Sequence, residues 1–248
     1  MTTIPLEGLL SNQALFRHIS PFELNALQKE VIRIGLDKGL TLFQRGDVSD
    51  GCYILVYGLI KLGIPSSHGS DKVLELIRPG QNFGEAMMFL NEPYPFYAEA
   101  LEPSLLLRLP RNALFRLLDQ FPVFARQMMA NLSGRLLGFM HDVERQSLQN
   151  AKQRVIDYLL QLSSLQGNSQ IRLELKKNLV ASLLNLSPET LSRILHQLAE
   201  DDLIEVNGAQ ISIVCFDSLK VYQHSDALNF RPAAENLMKN NAVARHFI

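Results

Sequence analysis

Residues 186–198 read LSPETLSRILHQL. Glu189, Ser192, Arg193 and His196 fall at i, i+3, i+4 and i+7, and on a 3.6-residue helix those positions share one face. Leu191, Ile194, Leu195 and Leu198 take the remainder. Ser187 is placed to cap the amino end, and Pro188 fits the first turn. The preceding KKNLVASLLN supplies a partner helix. Val180, Leu184, Leu191 and Ile194 are apolar where two crossing helices bury each other, and Ala181 is small where they come closest. Asn185 falls in the turn, where a positive φ is wanted and asparagine is the best choice after glycine. Behind the pair, EVNGAQISI holds Asn-Gly between two β-prone segments, which signals a hairpin. The pattern predicts a helix-turn-helix with a β-hairpin wing.

A helix-turn-helix lays its second helix in the DNA major groove, with the amino-terminal residues against base edges. Arg193 can grip guanine O6 and N7 with two hydrogen bonds, Glu189 can accept from cytosine N4, and Ser192 can meet either kind of edge. Ser187 and Thr190 sit at the helix amino end, which favours a backbone phosphate. His196 lies further along and is read as a phosphate or solvent contact.

The rest of the 248-residue chain divides by texture. Between residues 31 and 110, short β-prone runs (CYILVYG, LIKLGI, SLLLRLP) alternate with glycine-marked turns, as in an antiparallel sandwich or barrel. RNALFRLLDQFP reads as a short helix, and Pro122 opens a longer one. In that helix Met129, Leu132, Leu136, Phe139 and Val143 recur at 3-4-3-4 spacing, the seam of a coiled coil and a candidate homodimer interface. Met128, Leu137 and Met140 are free to face the sheet domain. NAKQRVIDYLLQLSSL is a further amphipathic helix. The fold class is α+β, in four segments: a β-roll at residues 1–113, a dimerisation helix at 114–147, a winged helix-turn-helix at 148–216, and a tail at 217–248 read as partly helical or disordered.

Composition narrows the function classes. The net charge of −1 gives no general attraction to nucleic acid, so any DNA contact must be local. No apolar run reaches the roughly 20 residues of a membrane span, and the first residues carry no secretion signal, so a cytoplasmic protein is expected. Cys52 and Cys215, the two cysteines, cannot supply an iron–sulfur cluster and form no spaced zinc motif; both read as small buried hydrophobes. No nucleophile–base pair, phosphate loop or metal motif points to an enzyme.

With these residues in view, the chain resembles the Crp/Fnr superfamily of bacterial transcription regulators across residues 15–216. The resemblance rests on GLTLFQRGDVSDGCYILVYGLIKL, RPGQNFGEAMMFL and LSPETLSRIL. It implies a cyclic-nucleotide-binding-like jelly roll, a long dimerisation helix and a winged helix. Glu189, Ser192 and Arg193 match the E-x-x-S-R spacing of the Fnr branch, which implies a TTGAT-N4-ATCAA palindrome. It also implies RNA polymerase as a partner if the protein is an activator.

The effector is read from the roll. Cyclic-nucleotide domains hold the ribose through a glutamate after Phe-Gly, and Glu85 stands there. They hold the phosphate through an Arg-Ser about ten residues later. Here that stretch is NEPYPFYAEAL, with Phe96 and Tyr97 and no arginine, so cAMP is not expected. EAMMFLNEP resembles the Dnr-type regulators of nitrate respiration, which respond to nitric oxide, and implies bound haem b in an apolar pocket between roll and long helix. Glu85, Met87, Met88, Phe96 and Tyr97 are the pocket candidates; His18, His68 and His141 are candidate iron ligands by type. The alternatives are a constitutive DNA-binding dimer without a diffusible ligand, and a cAMP-responsive regulator.

Overall fold

The computed structural model describes residues 6–11, 13–16, 19–65 and 71–224. The chain divides into two units, residues 1–139 and 140–248.

The first unit opens with helix α1 (Leu6–Ser11), a 3₁₀ turn at Ala14–Phe16 and α2 (Pro21–Gln28). Then come β1 (Ile32–Leu36), β2 (Thr41–Phe43), β3 (Gly51–Tyr57), β4 (Ile60–Ile64), β5 (Lys72–Ile77) and β6 (Asn82–Phe83). A short α3 (Glu85–Leu90) precedes β7 (Tyr97–Ala100), β8 (Ser104–Pro110), α4 (Arg111–Gln120) and the long α5 (Pro122–Leu148). The strands make two antiparallel four-stranded sheets, ordered β1-β8-β3-β6 and β2-β7-β4-β5.

Strands β3 and β8 explain why their sequences are apolar almost throughout. Tyr53, Leu55 and Leu106 belong to the core between the sheets, with Phe43, Leu62, Phe83 and Tyr94. Their neighbours Cys52, Ile54, Leu107 and Leu109 belong to a second core with α1, α2, α4 and α5. A strand buried on both faces loses the alternation of a half-exposed one. Phe124 and Met128 anchor the start of α5 in this second core, each 1% exposed. Gly63 is required by close approach, because a Cβ there would lie 2.7 Å from the Tyr97 ring.

The second unit contains α6 (Ala151–Gln166), β9 (Gln170–Arg172), α7 (Lys177–Leu183), α8 (Pro188–Glu200), β10 (Ile204–Asn207), β11 (Gln210–Ile213) and α9 (Phe216–His224). Asn150 and Gln153 form a reciprocal capping box at the start of α6. The wing pairs β10 with β11 and β11 with β9. Asn207 faces Gln210, so the two central turn residues are Gly208 and Ala209 rather than Asn207 and Gly208. Gly208 carries the positive φ, 62°, that such a turn needs. The boundary drawn after residue 216 needs correction. Helix α9 continues the unit, and Leu219 is 0% exposed within its core.

No helix among the described residues is long and apolar enough to cross a membrane.

Candidate nucleic-acid interface and effector region

The turn between α7 and α8 folds as its residues dictate. Asn185 has φ 54°, the left-handed conformation expected of it. Val180, Ala181, Leu191 and Ile194 are buried at 1%, 0%, 2% and 6% exposure, and Leu184 packs half-buried against the same core. Leu195 and Leu198 complete the buried face of α8. Glu189, Ser192, Arg193 and His196 are therefore all exposed on the other side. A solvated face would look the same in one respect, but here the face belongs to a capped helix whose other side is packed on α7.

Ser187 caps α8 by accepting from the Thr190 backbone N–H at 3.2 Å. The Ser187 and Thr190 hydroxyls are also 3.0 Å apart and hydrogen-bonded to each other. The two hydroxyls, the Thr190 N–H and the Glu189 N–H are thus engaged within the turn and Pro188 has no N–H, so the helix end offers an anion its dipole rather than free donors. The backbone N–H of Glu189 and the Ser187 hydroxyl hold the Glu189 carboxyl below its ordinary range, so it is ionised at neutral pH and acts as an acceptor. His196 Nδ1 lies 3.4 Å from Glu200 Oε1 one turn on, so its nearest partner is on its own helix.

Arg154 was not singled out from the sequence. Its guanidinium donates to the Leu184 carbonyl at 3.0 Å and to the Gln149 carbonyl at 2.9 Å. It holds the carbonyl end of α7, at the turn, against the start of α6. Its neighbours in sequence are apolar and polar in ordinary helical order, and nothing local signals the role.

The predicted seam of α5 separates into two kinds of residue. Met129, Leu136, Phe139 and Val143 are 58%, 63%, 48% and 64% exposed. Leu132 is half-buried against the helical core of the first unit. Of the three side chains expected to face the sheets, Met128 does so, whereas Leu137 and Met140 are 53% and 60% exposed. The exposed apolar band on α5 is therefore broader than a five-residue seam.

The effector-pocket candidates occupy three different environments. Met88 is 1% exposed in the core shared with the helices. Met87 and Phe96 pack half-buried against the core between the sheets. Tyr97 donates its hydroxyl to Asp71 at 2.5 Å and lies under Lys61, whose Nζ is 2.6 Å from Glu99. Glu85 is 0% exposed, and Arg135 of α5 meets it. The Arg135 guanidinium donates to Glu85 Oε1 at 2.8 Å, to Glu75 Oε2 at 2.6 Å and to the Asn82 carbonyl at 3.1 Å. These carboxylates hold the guanidinium pKa above its ordinary value against the opposing effect of burial, with Glu85 the stronger. The Cys52 thiol lies 3.8 Å from the other Glu85 oxygen, and burial, with Glu85 beside it, pushes its pKa well up. Arg135 was missed in the sequence. The one signal was its isolation as a charge within MMANLSGRLLGFM.

Of the candidate iron ligands, His18 and His68 lie outside the described residues, and His141 is exposed on α5. An open cleft of about 360 Å³ lies between α2 and α4, lined by Leu27, Leu117 and Phe121 with Arg116 and Glu30 at its edge.

Residues 33–121 match the cyclic nucleotide-binding domain model, and residues 153–222 match the Crp-like helix-turn-helix domain model. This is a sensor-type roll joined to a DNA-binding winged helix. The chain belongs to the Crp/Fnr family of transcription regulators. It is 29% identical over 199 residues to the transcriptional activator protein Anr of Pseudomonas protegens, covering 77% of this chain and 81% of that one. It is 27% identical over 204 residues to the cyclic AMP receptor protein of Thermus thermophilus, covering 82% and 94%. A solved structure of DNR from Pseudomonas aeruginosa is 34% identical over 89% of this chain and 98% of its own, with a TM-score of 0.47.

Proposed function

We propose that this regulator binds DNA as a homodimer and reads an Fnr-like palindrome, TTGAT-N4-ATCAA. The observation that carries the reading is the outward placement of Glu189, Ser192 and Arg193 over the buried Leu191 and Ile194. Each TTGAT half-site has one G·C pair, the single place where a guanine O6/N7 edge and a cytosine N4 donor occur together. Arg193 takes the guanine and Glu189 the cytosine. The exposed apolar band of α5 supports pairing of two chains, which sets the recognition helices about one DNA turn, roughly 34 Å, apart.

The test is fluorescence anisotropy with the palindrome, a scrambled duplex and a single half-site. Two chains per palindrome with clear preference over scrambled DNA is the expected result. Equal affinity for palindrome and scrambled duplex refutes it.

For the sensing half, the charges argue against a cyclic nucleotide. Two carboxylates, Glu75 and Glu85, share one guanidinium, and a phosphate brought beside them would be repelled. A haem fits no better among the described residues. The contacts of α5 with the roll's edge include a charged cluster where a porphyrin needs an apolar face, and His141 is exposed. Haem titration of the purified protein, followed by the Soret band and by operator binding with and without nitric oxide, tests the nitric-oxide reading directly. A signal, whatever its chemistry, must bind the DNA-competent arrangement better than the other to shift the population.

A further inference from the structure

Glu75 and Glu85 come from neighbouring edges of the two different sheets. Glu75 lies on β5, the outer strand of one sheet; Asn82 lies on β6, the outer strand of the other, and Glu85 begins α3 just after it. Arg135 reaches all three from α5. Asn131, one turn earlier, points its amide at the Asn82 side chain at 3.5 Å. A carboxylate with no exposed surface is costly to bury unless it is paired, and the cation paired with Glu85 is Arg135. Two other cations on the strands have carboxylates of their own: Lys61 with Glu99 and Arg108 with Asp50. The cluster keeps one net negative charge, so an incoming anion gains nothing from Arg135 without stranding two carboxylates.

We propose that Arg135 is a built-in counter-ion that does in this roll what a diffusible ligand would otherwise do: it clasps the outer margins of the two sheets to each other and to α5. The clasp makes the site selective by charge, closed to anionic ligands and open to disruption by a cation or hydrogen-bond donor that displaces the guanidinium. This deepens the reading of the sensing half and does not depend on which DNA sequence is bound.

Hydrogen–deuterium exchange of the full chain, read over residues 122–139, tests the clasp without reference to DNA. In Arg135→Ala the amides of α5 should exchange about tenfold faster or more, because Glu85 is left as an unpaired buried charge. Arg135→Lys should fall between, since an ammonium cannot serve two carboxylates in a fixed fork. Adding Glu85→Gln to Arg135→Ala removes the stranded charge but not the missing clasp, so it should restore folding while α5 stays in fast exchange. If Arg135→Ala unfolds, Arg135→Lys and the double variant still decide the matter. Calorimetry with cAMP and with inorganic phosphate should show no binding to the wild type. Unchanged α5 exchange in Arg135→Ala, full return of α5 protection in the double variant, or micromolar cAMP binding would each overturn the proposal. Loss of palindrome preference with the exchange pattern intact would instead remove the DNA reading and leave the clasp standing.

Discussion

Replacing Arg193 by alanine separates affinity from stability. Arg193 is exposed on α8 and makes no hydrogen bond or ion pair among the described residues. Its removal uncovers no buried group, so the melting free energy should change by no more than about 0.5 kcal/mol. At the DNA it loses a bidentate base contact, about 1–3 kcal/mol per half-site. That is about 5-fold to 150-fold in Kd. A symmetric operator uses the residue twice, so the smallest compounded loss is about 25-fold. The assay is anisotropy titration of wild type and Arg193→Ala against two duplexes, the palindrome and a version with A·T in place of each half-site G·C pair. Wild type should lose more affinity on the altered duplex than Arg193→Ala does, because the variant has only the Glu189 contact to the cytosine left to lose. The salt dependence should be the same for both proteins, because a base contact releases no counterions. An equal loss on both duplexes with a shallower salt slope would make Arg193 a phosphate contact and refute the base assignment.

Other consequences follow from burial. Leu136→Glu, at a position 63% exposed, should dissociate dimers in sedimentation at micromolar concentration while leaving the melting curve of the chain in place. Leu132→Glu also drives a charge into the half-buried contact with the helical core, so it should lower stability by about 1–3 kcal/mol as well. Asn185→Gly should be close to neutral, whereas Asn185→Val should cost about 1–2 kcal/mol and weaken operator binding, because a β-branched residue resists φ 54°. The Ser218 hydroxyl and backbone N–H hold the Cys215 thiol pKa below its ordinary value, while burial raises that of Cys52. Thiolate, and with it reactivity, therefore survives at Cys215 to lower pH than in a free cysteine. Ellman's reagent at pH 7 should modify Cys215 in the native protein and reach Cys52 only after unfolding; equal rates would contradict the burial.

The DNA-binding half was legible because its signals are local. Ser187, Pro188 and Asn185 each act within four residues, and the period of Leu191, Ile194, Leu195 and Leu198 alone turns Glu189 and Arg193 outward. Where pairing partners lie further off, the reading slipped. The wing turn moved by one residue because register is fixed by Ile211 against Ile171 and Val206, not by the Asn-Gly pair itself. The chain past residue 216 looked like a tail because only Phe216 and Leu219 among the described residues of α9 attach it to the core, too little to make a period. The α5 seam could not be divided from sequence. Leu132 and Leu136 differ only in what lies opposite them.

Sensor chemistry was hidden for the same reason in stronger form. Arg135 is 50 residues from Glu85 and 60 from Glu75 along the chain, and no local pattern joins such partners. Their meeting nevertheless links the two roles of α5. Arg135 turns into the roll's margin, and Leu136, the next residue, turns outward onto the apolar band that would pair two chains. Adjacent helical residues lie about 100° apart on one rigid cylinder, so neither can be displaced alone. A ligand that drew Arg135 away from its carboxylates would move the band on which dimer geometry rests, and with it the spacing of the two recognition helices. On the proposed clasp and dimer, a signal would reach operator spacing through one turn of α5, with no contact needed between the effector and any residue that touches DNA.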